Sequence, residues 1–112
     1  MNFYDKVHEL TRALKETNEY KEYMELKKEL KINEEKYKMV KDFKDKQRAH
    51  QVKYINGQEV TKEEQESMQN LYSILIQDEK IRKLLECEMR IDVLLADMQK
   101  IMGEAVKEIV EF

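Results

Sequence analysis

The stretch from Glu79 to Phe112 carries one unbroken apolar periodicity, and this feature constrains the fold more than any other. Apolar side chains recur at alternating spacings of three and four residues, the pattern of a helix that packs lengthwise against another helix. The residues of this seam are Leu84, Cys87, Ile91, Leu94, Met98, Ile101 and Ala105. Ile81, Leu85, Leu95, Met102, Val106 and Ile109 widen the seam. Together they cover about half of the helix circumference, well beyond the roughly 100° of an ordinary surface helix.

A helix with so broad an apolar arc needs more than one packing partner. It is also predicted to be the longest helix of the chain, so part of its length escapes cover by the other segments. Exposed apolar patches of this extent usually mark interfaces. We therefore expect the chain to form a homo-oligomer, at least a dimer, with the seam as its interface.

Composition favours helices throughout. The 112 residues include no proline and only two glycines, and 40% of them are charged. Such a sequence suits long helices and lacks the turn residues that a sheet requires. The length predicts a single domain over residues 1–112. The expected fold is an all-α antiparallel bundle of four to five helices with a long C-terminal helix.

Start and stop signals place the helices. The first spans about Phe3 to Glu16, with Val7, Leu10, Ala13 and Leu14 on one face. Thr17 and Asn33 are predicted N-caps of the second and third helices. Gly57 supplies a left-handed stop after the third helix, and Thr61 with Glu64 forms a capping box for the fourth. Asp78 is a break or cap before the last helix.

Charge predicts which helices pair. Residues 36–53 hold seven Lys or Arg against two Asp, whereas residues 59–80 hold six acids against two Lys. Because these segments flank the turn at Asn56 and Gly57, we expect them to form an antiparallel hairpin.

The start of the chain and its thiol content favour the cytoplasm. The first ten residues do not resemble a signal peptide, because they contain the acidic residues Asp5 and Glu9. The single cysteine cannot form an intrachain disulfide. No run of eighteen apolar residues exists, and we expect no membrane contact.

The residues that could carry metal chemistry are few and poorly spaced. His8 begins a zinc-protease pattern, but Arg12 stands where the second histidine should be. His50 has Gln47 where a di-iron bundle would need glutamate. We therefore predict no metal and no cofactor.

Nucleophilic catalysis would require Cys87 to be accessible and close to a base. Its position in the seam predicts a small buried hydrophobe instead. The expectation is that the protein is not an enzyme.

Two acids interrupt the C-terminal apolar pattern. Glu88 lies inside the apolar arc and Asp92 near its edge. An ion pair with a Lys or Arg of a neighbouring helix or subunit, or a hydrated gap at the interface, is favoured over a binding cleft, because buried charges usually mark pairing. They are the candidate polar site of the interface.

The basic third helix leaves a second hypothesis open, an RNA-binding surface. Tyr37, Phe43 and Tyr54 could stack on bases while the cations bind phosphates. The net charge of −3 and the pI of about 5.5 argue against it, and the aromatic residues share the apolar face. Nucleic-acid binding is the weaker alternative.

Three segments carry a resemblance to a known family: the opening Asn2–Asp5 with Leu10, Ala13 and Leu14, the turn Gly57–Glu64, and the stretch from Glu79 to Ile101. Through them the sequence resembles the YlbF/YmcA superfamily of small helical bacterial proteins, and within it the YheA-like branch. The resemblance covers nearly the whole chain, although none of these residues belongs to a catalytic motif.

The resemblance implies an all-helical, oligomer-forming cytosolic protein without established enzymatic activity. Better-known members are regulatory adaptors linked to competence, sporulation and biofilm formation. They assemble with a further protein, carry iron–sulfur clusters through cysteines and modulate ribonuclease Y in messenger RNA maturation. Cys87 is the only thiol here, whereas a self-contained cluster normally takes four cysteines. The resemblance therefore implies the adaptor role and a further regulatory partner, without the cluster.

Overall fold

A computed structural model of the chain describes residues 2–112, which form five α-helices and no strand. The helices are α1 (Asn2–Glu16), α2 (Asn18–Ile32), α3 (Glu34–Ile55), α4 (Lys62–Leu75) and α5 (Glu79–Val110). The prediction of an all-α fold with a long C-terminal helix is confirmed. Helices α4 and α5 are separate, because a turn at residues 76–78 interrupts them.

Side-chain caps explain where the later helices begin. Thr17, Asn33, Thr61 and Asp78 each accept a hydrogen bond from a backbone N–H two or three residues ahead, at 3.0–3.2 Å. Each bond satisfies a donor that the first helical turn cannot satisfy itself. Gly57 has φ of +71°, the left-handed conformation that ends α3. All five signals were predicted from the sequence.

The chain divides into two compact units. The first comprises the residues up to Met24 together with Leu84–Phe112, and the second comprises Glu25–Lys83. The expectation of a single domain over residues 1–112 stays a prediction.

The second unit is built on the hairpin of α3 and α4. Lys53 near the end of α3 binds Glu64 in the first turn of α4, with 2.7 Å between Nζ and Oε2. At the other end, Lys36 Nζ lies 2.5 Å from Asp78 Oδ2. Between these ion pairs the rings of Phe43 and Tyr72 pack with centroids 5.8 Å apart. The two helices are therefore antiparallel, as their opposite charges predicted. The buried residues of this unit are Val40, Phe43, Leu75 and Ile81.

The first unit buries few of its residues. Helix α1 contains no buried residue. In α5, Leu84, Leu85 and Cys87 are buried, whereas every residue after Met98 is exposed. Among the described helices, none is both long and apolar enough to cross a membrane.

Candidate interaction surface

The first unit exposes two apolar faces. One lies on α1 and consists of Phe3, Tyr4, Val7 and Leu10, whose exposed fractions range from 43% to 66%. We call it the α1 face. The sequence analysis placed Val7 and Leu10 on one face of the first helix, and helical spacing shows which residues share a face but not what covers it.

The second face lies on the C-terminal part of α5. It consists of Leu94, Ile101, Met102, Val106 and Ile109, which are 37–74% exposed. We call it the α5 face. Leu94 and Ile101 come from the predicted seam, and the other three from the residues that widen it. Ala105 lies among them and is exposed.

The rest of the predicted seam is less accessible. Ile91 and Met98 are half-buried, whereas Leu84 and Cys87 are covered within the chain itself, at 3% and 0% exposure. Leu84 and Cys87 therefore offer no surface to another protein in this conformation. The surface available for contact begins near Leu94 and runs towards the C-terminal end of α5.

The predicted polar site is split between two environments. Glu88 is half-buried, and its Oε2 atom is shielded from solvent. Asp92 is exposed. Glu88 takes part in interactions within the described residues. A role for these two acids in an interface stays a prediction.

Cys87 lies in an environment that suppresses its reactivity. Burial raises the pKa of the thiol, and the negative charge of Glu22 on α2 raises it further. Arg90 acts in the opposite direction, because its Nη2 donates a hydrogen bond to Sγ over 3.3 Å. Arg90 also lies 3.9 Å from the Glu22 carboxylate, which offsets its charge. A thiol with a raised pKa stays protonated at neutral pH and is a poor nucleophile.

The histidines do not form a metal site with other ligands. His8 is exposed, and His50 is half-buried with Nε2 3.9 Å from Glu64 Oε2. Within residues 2–112, no three His, Cys, Asp or Glu side chains come together in a way that could hold a metal ion.

The cations of α3 are largely engaged with carboxylates. Lys41 and Arg48 both bind Asp45, and Lys46 binds Asp42, all within the same helix. The hydrogen bond from Arg48 is the main reason why the pKa of Asp45 is lowered. These pairs reduce the positive potential that phosphate binding would need.

The aromatic residues of α3 do not form a stacking platform. Phe43 is buried and Tyr37 half-buried, so their rings serve packing. Tyr54, which we predicted on the packed face, is 84% exposed near the end of the helix, and that part of the prediction is wrong.

Sequence reasoning missed an open apolar depression of 490 Å³ at the tip of the α3–α4 hairpin. Its lining includes His50, Tyr54, Ile55, Val60 and Met68. The apolar residues Val60 and Ile55, close to the turn, were the only sequence signal for it, and nothing in the spacing distinguished them from ordinary surface residues.

Comparison with known proteins agrees with this architecture. Residues 3–107 match the family model described as "Control of competence regulator ComK, YlbF/YmcA". The chain belongs to the YlbF/YmcA family. The family resemblance inferred from the sequence is thereby confirmed.

Its relatives include a UPF0342 protein of Symbiobacterium thermophilum, 42% identical over 103 residues that cover 92% of each chain. A UPF0342 protein of Caldicellulosiruptor saccharolyticus is 42% identical over 105 residues, which cover 94% of this chain and 88% of that one.

A solved structure titled "Protein of Unknown Function (DUF964)" from Bacillus stearothermophilus superimposes with a TM-score of 0.76. The superposition covers 96% of this chain and 95% of that chain, at 19% sequence identity. At that identity the likeness concerns the fold.

Proposed function

We propose that the protein is a non-catalytic regulatory adaptor that acts by binding proteins, beginning with further copies of itself. The observation that carries the proposal is the pair of exposed apolar faces on α1 and α5. Apolar surface of this extent marks protein interfaces in water. The family description, which names control of a competence regulator, supports the proposal that the adaptor acts in the regulation of competence and related developmental programmes.

The chemistry of the chain is consistent with binding rather than catalysis. The thiol is buried with a raised pKa, and the described histidines are not gathered with other ligands. A reactive site would instead require accessible groups with pKa values shifted towards neutrality.

The alternative, an RNA-associated accessory protein, depends on the cations of α3. Five of them, Lys36, Lys41, Lys46, Arg48 and Lys53, already form ion pairs with carboxylates. Exposed pairs of this kind are weak, at about 0–1 kcal/mol each, so phosphates could compete for some of the cations. The adaptor hypothesis is favoured because it needs no such exchange.

The experiment is quantitative affinity capture from the native host, with and without nuclease. The baits are the natural protein, a face variant carrying Ile101→Glu and Ile109→Glu, and the control Val93→Glu. Val93 is 59% exposed on the same helix but lies on its opposite side. Circular dichroism establishes that all three baits are folded.

We expect partners that resist nuclease, remain with Val93→Glu and are lost with the face variant. Partners captured equally by all three baits would contradict binding through the α5 face. Loss of all captured material after nuclease treatment would favour the RNA alternative.

A deletion strain of the native host tests the regulatory role. The frequency of DNA uptake should change on deletion and be restored by the natural gene and by Val93→Glu, but not by the face variant. An unchanged frequency would contradict a role in competence.

A further inference from the structure

The α1 and α5 faces differ in the charges beside them. At 3.6 residues per turn, Lys6 and Lys15 lie roughly 90° to either side of the centre of the α1 face. The acids of α1, Asp5, Glu9 and Glu16, lie on the side of the helix away from that face. Lys6 and Lys15 are exposed, so the α1 face has a basic edge on both sides.

The α5 face has an acidic edge. Asp97 and Glu108 lie roughly 90–110° from its centre, both on the same side. Both are exposed. The lysines of this part of the helix, Lys100 and Lys107, lie on the side opposite to the face. An apolar face with a basic edge and an apolar face with an acidic edge complement each other.

From this complementarity we infer that the α1 face of one copy packs against the α5 face of a second copy. The inference deepens the proposed self-association and rests on it. It pairs the α1 face with the α5 face, and it therefore differs from a dimer in which the α5 faces of two copies pack against each other. Two α5 faces that met along their acidic edges would place like charges side by side, which disfavours a contact.

The exposed area is sufficient for such a contact. The nine residues of the two faces are 37–74% exposed. If large apolar residues have full surfaces of roughly 150–200 Å², the nine expose on the order of 800 Å² in each copy. A stable interface buries about 800 Å² per partner. In a two-fold symmetric dimer the α1–α5 contact occurs twice, so both faces of both copies are covered.

The ion pair already present on α1 does not prevent this arrangement. Lys6 Nζ lies 3.1 Å from Glu9 Oε2, but the two side chains are 73% and 53% exposed. A pair so open to water contributes little, and Lys6 can exchange Glu9 for a carboxylate of the second copy.

Charge reversal tests the inference. One variant carries Lys6→Glu and Lys15→Glu, a second carries Asp97→Lys and Glu108→Lys, and an equimolar mixture combines the two. The matched control carries Glu16→Lys and Lys100→Glu, which change exposed charges on the far sides of the same helices. Association is measured at low salt by sedimentation of the full-length chains, with circular dichroism as the check on folding.

We expect each reversal variant to weaken self-association roughly tenfold or more, because like charges then meet at the edge. The mixture should restore association to within about threefold of the natural protein, and the control should not change it. Lys6 and Lys15 lie on opposite edges of the α1 face, whereas the acids of the α5 face lie on one edge. Whether Lys6→Glu or Lys15→Glu alone weakens association more therefore shows whether α1 runs parallel or antiparallel to α5 of the second copy.

Several outcomes would overturn the inference. If the natural protein associates but the mixture of variants does not, the α1–α5 pairing is wrong while self-association stands. Two α5 faces meet instead if the Lys6→Glu, Lys15→Glu variant associates like the natural protein, while the Asp97→Lys, Glu108→Lys variant binds the natural protein more tightly than it binds itself. If the natural protein does not associate, the proposed self-association itself fails, and the faces serve a different partner.

Discussion

Thr61 caps the start of α4 through one local hydrogen bond, and the effect of removing that bond on stability can be calculated. Its backbone is extended, at φ −67° and ψ 158°, and its hydroxyl accepts the Glu64 N–H at 3.1 Å. The Thr61→Ala substitution deletes that acceptor and leaves the first turn of α4 without its side-chain cap. Loss of an N-cap typically costs about 1 kcal/mol.

The expected change in melting temperature follows from chain size. An unfolding entropy of roughly 2 cal/mol/K per residue gives a shift of about 4 °C per kcal/mol for a chain of this length. The assay is thermal unfolding followed by circular dichroism at one fixed protein concentration, since self-association would make the midpoint depend on concentration.

Two control variants isolate the cap from the loss of a threonine. Thr61→Ser keeps the hydroxyl and should melt within about 1 °C of the natural protein. Thr11→Ala removes an exposed threonine within α1 whose hydroxyl donates to the Val7 carbonyl at 3.0 Å. Alanine is the better helix former, so that variant should be unchanged or slightly more stable. If the melting temperature of Thr61→Ala equals those of the two control variants, Thr61 does not cap the start of α4 as described.

Three further predictions concern charge, the thiol and the long helix. Hydrogen bonds from Lys53 and Lys36 are the main reason why the pKa values of Glu64 and Asp78 are lowered in the folded protein. The stability that these two carboxylates contribute is therefore fully present above their pKa in the unfolded chain, and it is lost as the pH falls through their pKa in the folded protein. Acid titration of the unfolding free energy below about pH 5 should therefore fall less steeply for Glu64→Gln than for the natural protein, and identical curves would contradict this. Cys87 is buried with a raised pKa, so a thiol reagent should modify it much more slowly than free cysteine until denaturant is added; equal rates in the native state would contradict the burial. A methyl group at Gly103 would meet nothing within 4 Å, so Gly103→Ala should raise the unfolding free energy by roughly 0.5–1 kcal/mol in chemical denaturation, and a loss of stability would show that the site is covered.

Most of the local structure was predictable from the sequence because its signals are local. The caps at Asn33 and Thr61 and the left-handed Gly57 each act within three or four residues. The pairing of α3 with α4 was predictable because a short turn joins two segments of opposite charge. The family could be inferred because the matching residues extend along nearly the whole chain.

The extent of burial along α5 was not predictable from the sequence. The seam continues without change of period from Leu84 to Ala105, yet Leu84 is buried and Ile101 is 72% exposed. Periodicity identifies which residues share a face, whereas cover depends on where other parts of the chain end. The same limit explains why the exposure of the α1 face was not predicted and why Tyr54 was expected to pack with the other aromatic residues of α3.

The polar groups near the seam show a related limit. Spacing placed Glu88 inside the apolar arc, and its Oε2 atom is indeed shielded from solvent. Spacing places Arg90 beside Cys87 on α5, but it could not show that Arg90 would also lie close to Glu22, because that second contact joins two helices distant in sequence.

The central claim is that the exposed apolar faces are covered by further copies of the chain. Light scattering coupled to size exclusion, on the unmodified protein at micromolar concentration, tests it most directly. We expect the natural protein to have a molar mass of at least twice the 13.6 kDa of the chain. The mass should fall towards that of a single chain for the variant with Ile101→Glu and Ile109→Glu, but it should not fall for Val93→Glu. A monomeric natural protein at that concentration would contradict the account.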